Sequence, residues 1–179
     1  RIIHQFKFYT MRTLILVLLL TPFLSFAQSQ NIYVKLTDAG GKQINGDVVM
    51  KGYEKNMQAL SFSQGGKNNT QLSFTMNISG ASADLKKAMA SGAFLLNGQI
   101  TIIKPGGNIP VITSSIKMEK IRVLACAESM GCNNMMTTSV TLQVTRIGWT
   151  YYQTDARGVN TISNKYGYDA ETGQAWNNF

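Results

Sequence analysis

SVTLQVTRIGWTYY, residues Ser139–Tyr152, alternates apolar and polar side chains but changes face midway. Val140, Leu142 and Val144 have one parity, and Ile147, Trp149 and Tyr151 the other. Two-residue periodicity marks a strand. A change of parity inside one strand marks the bend that a closed or strongly coiled sheet needs at its corners. The preceding apolar segment, VITSSIKMEKIRVLAC, behaves alike: Ile112, Ser114, Ile116 and Met118 give way to Ile121, Val123 and Ala125, with the switch at Glu119–Lys120.

Outward from this pair, NIYVKLTD reads as an opening strand with Ile32, Val34 and Leu36 on one face. MQALSFS, with Leu60 and Phe62 on one face, and QLSFTMNIS, with Leu72, Phe74, Met76 and Ile78, form a hairpin around Gly65–Gly66. In SADLKKAMASGAF the period lengthens: Leu85, Ala88 and Met89 fall at helical spacing, with Ser82 as N-cap and Gly92 as stop. GQITIIK resumes the strands and KPGGNIP turns the chain. The polar end, from Gly158, fits an edge strand followed by a mobile tail. The predicted fold is mainly β, a small antiparallel barrel or sandwich of two sheets with one short side helix.

The N-terminus bears on compartment. MRTLILVLLLTPFLSFA, residues 11–27, has a charged start, a short apolar core and small residues ahead of a cleavage point between Ala27 and Gln28, as a secretory signal peptide does. Its core is shorter than the roughly 20 residues of a bilayer span, so no membrane association is expected after cleavage. Residues 1–10 precede the first Met and read as a non-native extension. Residues 28–179 then form a single domain, and the exported chain is expected in the periplasm or outside the cell. Residues 1–27 carry Arg1, Lys7 and Arg12 and no acid, so the net charge falls from +8 to 8 − 3 = +5 once they are removed. The remaining basic residues are scattered, which disfavours nucleic acid as a partner.

Residues 28–179 contain no histidine, which excludes Ser-His-Asp and Cys-His machinery and the commonest zinc sets. Cys126 and Cys132 lack redox CxxC spacing and make only half a tetrahedral site. A disulfide is the favoured reading in an exported chain, with two inert thiols as the alternative. Met130, Met135 and Met136 carry soft thioethers suited to copper(I) but lack a repeated spacing, and a packing role is preferred. Asp155, Asp169 and Glu171 fall in turns rather than in an acid–base pair. Trp149, Tyr151 and Tyr152 suggest a sugar-stacking platform, but alternation places only Trp149 and Tyr151 on one face, with Tyr152 on the other. No cofactor, metal or catalytic residue is expected, and the chain reads as a non-enzyme.

Four ordered pieces carry a family resemblance: YVKL followed by LSFS and a Gly-containing loop; LSFTMNIS; the helix with Ser82, Leu85 and Ala88 before ITII; and SVTLQVTRIGWTY, followed by Asp155, Gly158 and the end Gly167, Tyr168, Asp169. Together, over residues 31–170, they resemble the haemolysin-coregulated protein (Hcp) family, the tube proteins of type VI secretion systems. The resemblance implies a barrel of two sheets with a side helix and homo-oligomeric, hexameric rings that stack into a tube. It also implies small secreted effector proteins as lumen cargo. The matching ring-contact loop is Ser63, Gln64, Gly65, Gly66, Lys67, Asn68, Asn69 and Thr70, shorter than the family's. A signal peptide departs from a family assembled in the cytoplasm. The alternative is a monomeric exported periplasmic or cell-surface binding module on the same barrel.

Overall fold

The computed structural model describes residues 30–104, 110–130, 134–155 and 159–179. The strands are β1 (Asn31–Thr37), β2 (Met57–Gly65), β3 (Gln71–Asn77), β4 (Phe94–Lys104), β5 (Val111–Met130), β6 (Met136–Thr154), β7 (Asn160–Asp169) and β8 (Gln174–Ala175), with helix α1 (Gly80–Ser91) between β3 and β4. Hydrogen bonding runs β3-β2-β1-β4-β5-β6-β7-β8, and β3 also pairs with β6. Strands β1 to β6 therefore close on themselves, and β7 and β8 extend from β6. The expected two sheets are one continuous antiparallel sheet, because β5 and β6, with 20 and 19 residues, run through both layers.

The parity switches mark the corner where this happens. On β5 the buried series Ile116, Met118 becomes Ile121, Val123, and on β6 Val140, Leu142, Val144 becomes Ile147, Trp149. At the bend Lys120 has φ +50°, a left-handed conformation that disfavours most side chains. The Thr145 hydroxyl donates to the Lys120 carbonyl at 3.1 Å. Strand β6 changes partner at the same level, with residues 137–143 against β3 and 146–154 against β7. The joint is sealed by Val144 N–H donating to Thr70 O at 2.9 Å and Ala170 N–H to Thr145 O at 2.8 Å. Arg146 spans it, reaching Glu119 at 2.9 Å and Asp169 at 3.2 Å.

Four local expectations differ from the structure. A bulge between Ala59 and Ser61 turns Leu60 outward, so Met57 and Ala59 supply the β2 core and Leu60 is 55% exposed. A second bulge between Val123 and Ala125 leaves Ala125 exposed and turns Cys126 inward. The N-cap of α1 is Ser79, not Ser82, and Gly92 stops the helix at φ +65°. Ser82 sits one turn in, accepting from Ser79 N–H at 3.2 Å and sharing a 2.8 Å hydrogen bond with Thr138. That buried pair, with the fully buried Leu85, fixes α1 to the barrel. Lys86 pairs with Glu128 on β5, beyond the point where β4 stops covering that strand. Ile78 lies past the end of β3 and is exposed.

The residues after β8, expected to be a mobile tail, lie against the sheet. Gly148 and Gly167 are paired across β6 and β7, and a Cβ on either would overlap the Phe179 ring seated over them. Trp176 tilts against that ring at 4.9 Å, and Lys165 sits 4.2 Å above its centre.

Because the corner depends on a left-handed Lys120, Lys120→Ile should destabilise the fold by roughly 1–3 kcal/mol, the cost of a β-branched residue in that region. Lys120→Gly should stay within about 1 kcal/mol of wild type, both measured by urea denaturation.

Candidate functional site

The β2–β3 hairpin closes at Gly65 opposite Gln71, and Lys67–Asn69 form one turn of 3-10 helix. Gly66 at φ +76° and Asn68 at φ +57° are residue types that tolerate the positive angles this tight return requires. The loop folds onto its own barrel rather than projecting. The Trp149 indole N–H donates to Gln64 Oε1 at 3.0 Å, Asn68 Nδ2 donates to the Tyr168 hydroxyl at 2.8 Å, and Gln143 Nε2 donates to Thr70 Oγ1 at 3.0 Å. Sequence patterns identify the Gly–Gly turn. They miss these bonds, whose partners lie 73 to 100 residues apart in the chain.

Trp149 and Tyr151 do share a face, but only Trp149 is buried, at 9% exposure, against 50% for Tyr151. Tyr166 on β7 stacks on Trp149 with centroids 5.7 Å apart and is itself 57% exposed. Gln64, Asn68, Trp149, Tyr151, Tyr166 and Tyr168 line one groove of about 370 Å³. Tyr152 is not among them.

Beyond the groove lies the outer side of β7. Its inner side pairs with β6 along the whole strand, whereas β8 registers only with Tyr168 and Asp169. Among the described residues no strand pairs with the outer side of 160–166. Ile162, 59% exposed, stands on that strand.

The carboxylates serve backbone and corner. Asp155 accepts from Val159 N–H at 2.8 Å. Asp169 accepts from Glu171 N–H at 2.8 Å and Thr172 N–H at 3.3 Å, and Glu171 meets Lys120 at 2.6 Å. Burial raises the Asp169 carboxyl, but those two N–H donors and the Arg146 guanidinium outweigh it and hold it below its ordinary 3.8. Among the described residues no three His, Cys, Asp or Glu side chains gather as metal ligands. Met130 and Met136 are cross-strand neighbours near the β5–β6 tip, and both are exposed. The Cys126 thiol points at the Ser82 carbonyl, 4.0 Å away, and burial raises its pKa. Cys132, Ala27 and Gln28 lie outside the described residues, as does the leader.

The family model for Hcp, the type VI secretion system effector, matches residues 33–151. Hcp1 from Salmonella typhimurium superposes with a TM-score of 0.69 at 21% identity, over 83% of this chain and 99% of that one. A structure described as a type six secretion system protein gives 0.70 at 17% identity, over 83% and 100%. The secreted protein Hcp3 from Pseudomonas aeruginosa gives 0.61 at 15%, over 79% and 98%. At these identities the likeness establishes the fold. No curated protein is a significant sequence match.

Gln64→Leu should leave the buried Trp149 N–H without its acceptor and cost about 1–3 kcal/mol, with a red-shifted tryptophan emission as the loop lifts. Asp169 titrates lower folded than unfolded, so its contribution is present above about pH 4 and is lost as pH falls through the folded value. Denaturation curves from pH 7 downward should therefore show a steeper acid loss in wild type than in Asp169→Asn.

Proposed function

Because the chain belongs to the type VI secretion Hcp family, we propose that it is a non-enzymatic structural protein whose barrels join edge to edge into a homo-oligomeric ring. The outer side of β7 over 160–166, which no strand among the described residues pairs, is the observation that carries this reading. An open strand edge presents N–H and C=O groups in a row, ready to pair with another chain. A head-to-tail contact between unlike edges closes into a ring when the rotation permits. Six subunits, and small secreted effector proteins as lumen cargo, follow from the family resemblance.

The leader at 11–27 directs export to the periplasm or the cell exterior, with cleavage between Ala27 and Gln28. The Ser63–Thr70 segment is the ring-contact loop by family position. Its bonds to Trp149 and Tyr168 favour isolated rings over a stacked tube, since a neighbouring ring would have to compete with them. The same docked loop, together with the leader, supports the second reading: an exported monomer that kept the barrel as a binding module.

In the exported protein a Cys126–Cys132 bridge would staple the β5–β6 tip, contributing about 2 kcal/mol. The Cys126 thiol would have to leave Ser82 to form it. Intact-mass spectrometry before and after reduction should show a gain of two hydrogens, and free thiols in exported material would refute the bridge.

Light scattering on purified protein should give a mass that is a multiple of the monomer, with rings visible by negative-stain microscopy. Ile162→Asp, an exposed substitution expected to change stability by no more than about 0.5 kcal/mol, should reduce the particle to monomers. A wild type that stays monomeric at high concentration would favour the second reading.

A further inference from the structure

We propose that the groove between the docked loop and the β6–β7 face binds a neutral carbohydrate. Its six lining residues carry no formal charge and divide into two kinds: four aromatic rings and two side-chain amides. At about 370 Å³ it lies at the small end of ligand sites, which span roughly 300–1,000 Å³.

The aromatic part supplies apolar faces with polar rims. Tyr151 and Tyr166 expose half or more of their surface. The stack of Tyr166 on Trp149, with planes 13° apart, and the indole bond to Gln64 hold the platform in one orientation. Such rings match the flat C–H face of a pyranose, which is apolar in the middle and hydroxylated at its edge. Charged or strongly anionic ligands find no counter-charge among these six residues.

The polar part matches the hydroxyl edge. The Tyr168 hydroxyl accepts from Asn68 Nδ2, so its own hydrogen remains to be donated. The Asn68 side-chain carbonyl is an acceptor beside it, and the amide of Gln64 flanks the indole across the groove. Adjacent donors and acceptors of this kind suit vicinal hydroxyls, which each both give and take a hydrogen bond. The docking of the short loop creates the site, because Gln64 and Asn68 reach the aromatics only when Ser63–Thr70 lies on the barrel. The proposal does not depend on ring formation.

The test is titration of the purified protein with cellohexaose, chitohexaose and xylohexaose, read by tryptophan fluorescence and calorimetry, with light scattering on the same samples. At least one sugar should bind saturably, and Tyr166→Ala and Tyr151→Ala should each weaken it roughly tenfold or more. Val49→Ala, at an exposed position outside the groove, should leave it unchanged, and thermal melting would confirm that the variants are folded. No saturable response to any of the three would overturn the proposal. So would binding that both tyrosine variants retain, or a groove whose substitution changes only the oligomeric mass. Loss of rings with sugar binding intact would overturn the ring reading alone.

Discussion

The change of partner in β6 at Thr145 is the constraint on which the rest depends. Below it the strand closes the barrel against β3, and above it the same strand carries β7. One strand edge cannot serve two neighbours at the same level, so the bend, the left-handed Lys120 and the shift in buried parity occur together. Thr70 and Ala170 bond to the two residues at the break, Val144 and Thr145. Arg146 then gathers Glu119 and Asp169 from the adjoining strands. These partly buried pairs join three strands where ladder hydrogen bonding is interrupted.

Two consequences bear on function. Closure through β3 leaves β7 outside the barrel, with one side of 160–166 paired by no strand among the described residues, and an exposed edge of this kind is either protected or used. The protection is partial: β8 covers Tyr168 and Asp169, Trp176 N–H bonds the Gly167 carbonyl at 3.0 Å, and the Phe179 ring fills the glycine cradle beside the strand, so the covered part of the edge stops at Gly167. Closure also brings the β2–β3 loop beside the upper half of β6, where Gln64 meets Trp149. The element expected to reach toward another ring thus forms a wall of a groove on its own subunit.

Much of the fold was legible because it is written locally. The two parity switches, the helical spacing of Leu85, Ala88 and Met89, and the Gly65–Gly66 turn depend on neighbours a few residues away. Leu60 misled because a bulge is one residue of slippage that alternation cannot locate. Ser82 resembled a cap because both serines of a capping box satisfy the same pattern. Tyr166 and Tyr168 lie in the polar end, where no apolar neighbour in sequence marks them as part of a surface. They became part of a surface only once β7 was in register with β6, and Phe179 found its seat only through two glycines on different strands. The carboxylates were legible as turn residues, since Asp155 and Asp169 accept from backbone N–H groups close in sequence.

Amide hydrogen exchange across β7, measured at low and high protein concentration, tests most directly whether the edge left by this partner change joins subunits. Amides among residues 160–166 that do not bond to β6 should exchange quickly in dilute protein and become protected as concentration rises, while the β6 ladder is protected throughout. Fast exchange of those amides at every concentration, with the barrel intact, would contradict edge-to-edge joining through β7.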